Sequence, residues 1–228
     1  MLAAIAGGVV GSALTFAVLL FAMPQVVSSK IVKQGLLANP QILVQASDAL
    51  HDLQYAPALA AMRTQLETPF GSSWKGAEKP SVVLVEFYDY ACPYCKASNP
   101  HIDQLIRENP GLRVVYRELP ILGADSVASA RLSLAASKVG RFRQFHDALY
   151  AAGRPAPDTN AAAARIANIS PQIVEDEAVK AEITKNMQLA GQLGATGTPL
   201  FVVGDRVLNG AVGYAALKKA VEDAQKKG

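Results

Sequence analysis

The stretch Val82-Val83-Leu84-Val85-Glu86-Phe87-Tyr88-Asp89-Tyr90-Ala91-Cys92-Pro93-Tyr94-Cys95 carries most of the legible chemistry of this chain. Val82–Phe87 is a nearly continuous apolar run, the pattern of a strand buried on both faces. Cys92 and Cys95 follow it, and they are the only 2 cysteines in 228 residues. A helical pattern then runs from Pro93 to Asn109, with proline in the first turn, where its missing N–H costs nothing. Asn109-Pro110-Gly111 breaks it, and Leu112–Leu119 reads as a second strand, giving a β-α-β unit. A thiolate attacks disulfides and a thiol does not. A helix N-terminus offers unpaired N–H groups and a partial positive charge to a thiolate, which lowers the expected pKa of Cys92. Cys95 lies one turn further on and is expected to be the more buried. Cys92 is therefore expected to form a mixed disulfide with a substrate, and Cys95 to resolve it.

Other roles for two cysteines fit less well. A disulfide-stapled secreted domain is short and carries several pairs; here 50% of the residues are hydrophobic, enough for a core without staples. Zinc takes about four ligands, and His51, His101 and His146 have no ligand spacing to the motif. His101, nine helical positions after Cys92, points to the opposite face and reads as an exposed helix residue. No metal site is expected, although two thiolates alone would suit Cu(I), and an inert disulfide is the remaining structural reading. The net charge of +3, with both signs interleaved, does not argue for nucleic acid.

Further along, a helical block spans about 125–191, with breaks near Gly140, Gly153–Pro157 and Ser170-Pro171. Leu200–Val203 and Arg206–Leu208 read as a hairpin turned at Gly204-Asp205, and Tyr214–Lys226 as a closing helix. A βαβ half and a ββα half separated by helices is an α/β, thioredoxin-like fold with a helical insertion. Gly197-Thr198-Pro199 precedes the hairpin. X-Pro bonds are the usual place for a cis peptide; a cis bond would turn the Thr198 backbone outward to pair with an extended substrate, and an ordinary turn proline is the alternative. Pro93 and Tyr94, between the sulfurs, are expected to meet substrate as well. Glu86 sits inside an apolar strand, where an ionised, unpaired carboxylate would cost several kcal/mol. It either relays protons for Cys95 or reaches solvent at the strand end.

The N-terminal part is of another kind. Leu2–Ser29 has no charged side chain, and Leu2–Met23 is long enough to cross a ~30 Å hydrocarbon layer as a helix. Residues 1–24 are expected to be a transmembrane anchor, or else a signal segment, although no small-residue cleavage pattern stands near its end. Lys30 and Lys33 follow it, which by the positive-inside rule alone would favour a cytosolic C-terminal part. Ala3, Gly7 and Gly11, like Ala4, Gly8 and Ser12, fall on small-xxx-small repeats that allow close helix approach. Residues 25–68 read as a helical oligomerisation region, with Asn39-Pro40 as a helix start. Ile42, Leu43, Ala46, Ala49, Leu50 and Leu53 form an apolar stripe, and Pro57 opens a second short helix. Such a stripe must bury against something, either the catalytic domain or another copy of the chain. Residues 69–80, rich in Gly, Ser, Pro and Lys and containing Trp74, read as a linker, and 81–228 as the catalytic domain.

Val85–Cys95, Arg117-Glu118-Leu119-Pro120-Ile121-Leu122-Gly123, Phe145-His146-Asp147-Ala148-Leu149 and Gly197-Thr198-Pro199-Leu200-Phe201 resemble the DsbA family of thiol–disulfide oxidoreductases. Leu36-Leu37-Ala38-Asn39-Pro40 and the helices after it are similar to the N-terminal region of its ScsC-type branch, which makes trimers in some members. The resemblance implies a thioredoxin fold, an extracytoplasmic site, a nucleophile at Cys92, a resolving Cys95, a cis bond at Pro199 and the family's buried acid at Glu86. It implies no cofactor beyond the redox-active Cys92–Cys95 pair. The expected partners are unfolded or misoxidised extracytoplasmic proteins, a membrane redox protein that resets the dithiol, and further copies of the chain. Threonine before the cis proline resembles isomerase-type relatives, so a disulfide isomerase held at a bacterial inner membrane and facing the periplasm is expected. A dithiol oxidase, a copper-binding or chaperone thiol protein, and a cytosol-facing reductase are the alternatives.

Overall fold

The computed structural model describes residues 23–172 and 176–227. Its contacts divide the chain into two units, 1–50 and 51–228. The expected anchor or signal segment, 1–24, lies outside the described residues up to residue 22, as do both small-residue repeats. Among the described residues no helix is long and apolar enough to cross a membrane.

The second unit is built on a five-stranded sheet in the order β1-β3-β2-β4-β5. Its strands are β1 (Trp74–Gly76), β2 (Val82–Tyr88), β3 (Leu112–Glu118), β4 (Leu200–Val203) and β5 (Arg206–Asn209). β2 and β3 are parallel and joined through helix α3 (Pro93–Glu108), the crossover that parallel neighbours require. β4 runs antiparallel to β2, setting Glu86 opposite Phe201 and Phe87 opposite Leu200. Both faces of β2 are covered, which is why its sequence is apolar rather than alternating. Leu84 and Tyr88 pack with Ile102 and Leu105 of α3 and with Leu217 and Val221 of the C-terminal helix α8 (Gly213–Lys227). On the other face, Val85 and Phe87 pack with Leu59, Met62 and Leu66 of helix α2 (Gln41–Glu67) and with Leu189 and Leu193. The insertion consists of α4 (Ala124–Lys138), α5 (Phe142–Ala152), α6 (Pro157–Ile166) and α7 (Glu177–Gln192), and the chain breaks close to the expected glycines and prolines.

Three expectations about the N-terminal part need correction. Pro57 does not open a new helix: it lies inside the single helix α2. Proline removes one backbone donor, and packing of the flanking turns outweighs that loss. The last turns of α2, assigned to an oligomerisation region ending at 68, are core: Leu59 and Leu66 are fully buried beneath the sheet. The buried guanidinium of Arg117 in β3 seals the helix end. It donates to the carbonyls of Leu66 (3.0 Å) and Thr68 (2.8 Å), to that of Gln65, and to Glu182 (2.9 Å) and Asn186 (2.8 Å) of α7. The Gln65 and Leu66 carbonyls lie in the last turn of α2 and are among the orphan carbonyls that every helix leaves at its C-terminus. Finally, residues 69–80 are not a free linker, and the sheet begins before residue 81. β1 pairs antiparallel with β3 at the sheet edge, Tyr116 N–H donates to the Ser73 carbonyl at 3.0 Å, and the Arg113 guanidinium stacks over Trp74 at 4.7 Å. An edge strand of three residues needs backbone partners more than an apolar pattern, so its composition reads as a loop. Gly76 has φ +97°, and a Cβ there would stand 2.2 Å from the Leu112 carbonyl oxygen, so only glycine fits.

The first unit contains α1 (Met23–Ala38) and the start of α2. Its Ile31, Val32, Leu37, Ile42, Leu43, Val44 and Leu50 are all exposed, as is Leu53 at the beginning of the second unit.

Candidate active site

Strand β2 delivers the chain to the top of the sheet, and a turn over Asp89–Ala91 leads into α3. Cys92 is the N-cap of that helix, with extended backbone (φ −79°, ψ 117°) and no side-chain capping bond. Pro93 occupies the first turn, where the N–H groups of a helix have no intrahelical partners. The Cys92 amide donates to the Asp89 carbonyl (3.0 Å), and the Asp89 carboxylate accepts from the Ala91 amide (2.8 Å). Both cysteines are free thiols. Cys92 retains 4% exposure and Cys95 none, so the ranking of the two sulfurs is as expected, but Cys92 lies deeper than a freely presented nucleophile. Pro93 and Tyr94, between them, are exposed.

The pairing of β4 with β2 brings the loop before β4 over the dithiol. The Thr198–Pro199 bond is cis, and the Cys92 thiol donates to the Thr198 carbonyl at 3.2 Å. Thus Cys92, Cys95, Thr198 and Pro199, separated by about a hundred residues of chain, converge.

Glu86 does not reach solvent. It is 1% exposed, and its Oε1 has no hydrogen-bond partner. By strand alternation it faces the α3 side with Leu84 and Tyr88. Burial pushes its carboxyl up to about 8; the Lys75 ammonium opposes this, while Cys92 and Asp103 add to it. Burial also pushes the Cys95 thiol far above the ordinary thiol range, with the Glu86 charge as the next cause; hydrogen bonds from the Asp89 backbone and Thr198 side chain act against them. Burial thus favours the protonated, uncharged form of both groups.

Two nearby groups were not anticipated from sequence. Lys75 of β1 is 7% exposed and pairs with Asp147 (2.6 Å) and Asp103 (3.7 Å). These three residues line a cavity of about 350 Å³ with Arg107 and Arg143. Only the sheet pairing of the supposed linker could have revealed Lys75. His146 is buried among the rings of Tyr88, Tyr90, Tyr116 and Tyr150. Burial lowers its imidazole to about 4, against the bond between its Nδ1 and Asp147 (3.0 Å). It is thus a neutral core residue. His101 is half-buried against the Tyr214 ring rather than fully exposed. Among the described residues, no group of three or more His, Cys, Asp or Glu could hold a metal ion.

The family model described as DSBA-like thioredoxin domain matches residues 83–222. Among curated proteins, the Na(+)/H(+) antiporter NhaA 3 of Salinispora tropica is 30% identical over 158 residues, or 66% of this chain. The match spans only 24% of that relative's length. Among solved structures, a periplasmic thioredoxin-like protein from Salmonella enterica serovar Typhimurium is 30% identical, with a TM-score of 0.67 over 73% of this chain and 97% of that one. Proteus mirabilis ScsC in a transitional conformation is 29% identical, with a TM-score of 0.70 over 91% of this chain and 97% of that one.

Proposed function

Because the chain belongs to the DSBA-like thioredoxin domain family, we propose that it is a protein thiol–disulfide oxidoreductase whose catalytic domain works in the periplasm. Cys92 is the nucleophile. As a thiolate at the N-terminus of α3 it attacks one sulfur of a client disulfide; a Cys92–client disulfide forms and the other client sulfur leaves as a thiolate. Glu86, as carboxylate, takes the proton of Cys95. The Cys95 thiolate attacks the Cys92 sulfur, the Cys92–Cys95 disulfide forms, and the client leaves with both sulfurs reduced. Run backwards, the same steps oxidise a client dithiol. In isomerisation, the first client thiolate instead attacks a different client disulfide, and the thiolate that this displaces attacks the client sulfur of the mixed disulfide, so that a new client disulfide forms and Cys92 leaves as a thiolate. Thr198 and Pro199, with Pro93 and Tyr94, form the surface on which the client chain lies.

The observation that carries this reading is the convergence of the Cys92 thiol on the Thr198 carbonyl at 3.2 Å, with a buried Glu86 nearby whose Oε1 has no hydrogen-bond partner. Isomerisation is the activity we favour. Threonine before Pro199 and the exposed apolar residues of the N-terminal helices support it, since self-association through 25–68 would let several dithiols face one misfolded client. A resident disulfide Cys92–Cys95 would be restored or removed by a membrane redox protein, and segment 1–24 would hold the chain at the inner membrane. The antiport named for the Salinispora relative is not carried over, because the match spans about a quarter of that protein.

Refolding of a scrambled-disulfide client tests the proposal. The wild-type chain is expected to restore its activity and Cys92→Ser to abolish turnover; turnover that survives in Cys92→Ser sinks the assignment. Cys95→Ser is expected to accumulate the mixed disulfide. Rapid oxidation of reduced clients with no recovery of scrambled ones would favour the oxidase instead.

A further inference from the structure

One residue of the turn between β2 and α3 meets both cysteines. Asp89 is 1% exposed. Its carbonyl accepts the Cys92 amide at 3.0 Å. Its backbone also hydrogen-bonds the Cys95 thiol, in the sense that favours the thiolate. The N–H is the main chain's donor, so the Asp89 amide is the group aimed at that sulfur. The two peptide units flanking one Cα thus reach the nucleophile and the resolving sulfur together.

The side chain on that same Cα holds the two units in place. Oδ1 accepts the Ala91 amide at 2.8 Å, within the turn. Oδ2 accepts the amides of Ile121 and Leu122 at 2.9 and 3.0 Å, from the loop between β3 and α4. A carboxylate acceptor makes each of these bonds stronger than a neutral pair. The Leu119 amide meets the Tyr88 carbonyl at 2.8 Å, carrying the β2–β3 pairing up to the turn. Rotation of the peptide unit before Asp89 would take its N–H off Cys95, and bonds to two separate segments oppose that rotation.

We propose that Asp89 is a positioning residue for the resolving step: its carboxylate, gripped by three amides, keeps its own backbone N–H on the Cys95 sulfur as that sulfur gains charge. This rests on the oxidoreductase reading and adds a residue to it. In closure, Cys95 gives its proton to Glu86 and attacks the Cys92 sulfur of the mixed disulfide. The Cys92–Cys95 bond forms, and the client sulfur leaves as a thiolate. A donor already in place needs no reorganisation as the charge develops. The carboxylate acts here through geometry, because its charge alone would oppose a neighbouring thiolate. Asparagine at 89 could accept on one oxygen only and would turn its NH2 toward the remaining amides, loosening the turn. Geometry and charge therefore give opposite signs for Asp89→Asn.

The test mixes the reduced full chain with dithiobis(nitrobenzoate), a small aromatic disulfide, and follows release of the coloured thiolate by stopped flow. Attack by Cys92 releases one thiolate, and closure by Cys95 releases the second. Asp89→Asn is expected to slow the second phase about tenfold, the loss of one hydrogen bond to a charged group, and to change the first by less than about twofold. Equal slowing of both phases overturns the proposal. So does a second phase that is unchanged or faster. A second measurement decides if Asp89→Asn does not fold. Hydrogen exchange at the Asp89 amide is expected to be about tenfold faster in Cys95→Ala than in reduced wild type, since the sulfur that accepts from it is gone. Equal exchange in the two overturns the proposal. A wild type that releases no thiolate defeats the oxidoreductase reading instead, while the exchange comparison still reads the contact between Asp89 and Cys95.

Discussion

At the scale of single residues, the site is a problem in proton placement. Glu86 and Cys95 are both buried, and burial disfavours the charged form of each. In the proposed mechanism the rate of disulfide closure by Cys95 is expected to climb with pH through about 8, as Glu86 becomes a carboxylate. Glu86→Gln is expected to lose that inflection and to slow closure by one to two orders of magnitude, read by stopped-flow release of a trapped mixed disulfide. Stability has the opposite sign. A carboxyl raised from 4.5 to about 8 binds more protons in the folded chain than in the unfolded one between those values. Its stabilising contribution is therefore complete below the unfolded pKa and is lost as pH rises through the folded one. Urea titrations of the reduced protein should show wild type losing stability between about pH 5 and 8 relative to Glu86→Gln; parallel pH profiles would refute the buried acid. Lys75 works against burial, so Lys75→Met is expected to move the kinetic inflection upward. An unmoved inflection would show that the ammonium does not act on Glu86.

The elements explain how these residues come to be neighbours. β2 and β4 are adjacent and antiparallel, and this one pairing carries Thr198-Pro199 to Cys92. β1 brings Lys75 to the sheet edge although only three residues of it pair. Helix α2 is tied to β3 and α7 by Arg117, whose five donors meet three carbonyls and two side chains. Removing one partner of a buried pair leaves the other charge and the helix-end carbonyls without compensation. Arg117→Met is thus expected to cost about 3–5 kcal/mol in urea unfolding. Lys185, which also bonds Glu182 at 2.8 Å, sets the loss toward the lower end. A loss below about 1 kcal/mol would mean that water replaces the guanidinium at little cost.

At the scale of the molecule, Ile42, Leu43, Leu50 and Leu53 are among the exposed large apolar side chains of the described residues. In the self-association proposed above, copies of the chain cover them. Leu43→Asp/Leu50→Asp is expected to lower the mass seen by light scattering, with refolding of scrambled clients reduced and reaction with small disulfides retained. An unchanged mass would rule the stripe out as the interface. The central strands, α3 with its dithiol, the insertion and the β4–β5 hairpin were legible in the chain, because each is signalled locally by an apolar run, a helical period or a glycine and proline break. The supposed linker and the helix break at Pro57 were misread for the same reason. A three-residue edge strand carries no periodicity, and a proline costs one donor that packing elsewhere outweighs. The order of residues by itself determined where the candidate chemistry stands: two thiols one turn apart after a buried strand, with an acid six residues before the first. Only the tertiary structure decided that Glu86 is buried, that the Lys75 ammonium acts on it, and that the Thr198 carbonyl meets the Cys92 thiol. Burial and long-range pairing are properties of the packed sheet, and no local stretch of sequence contains them.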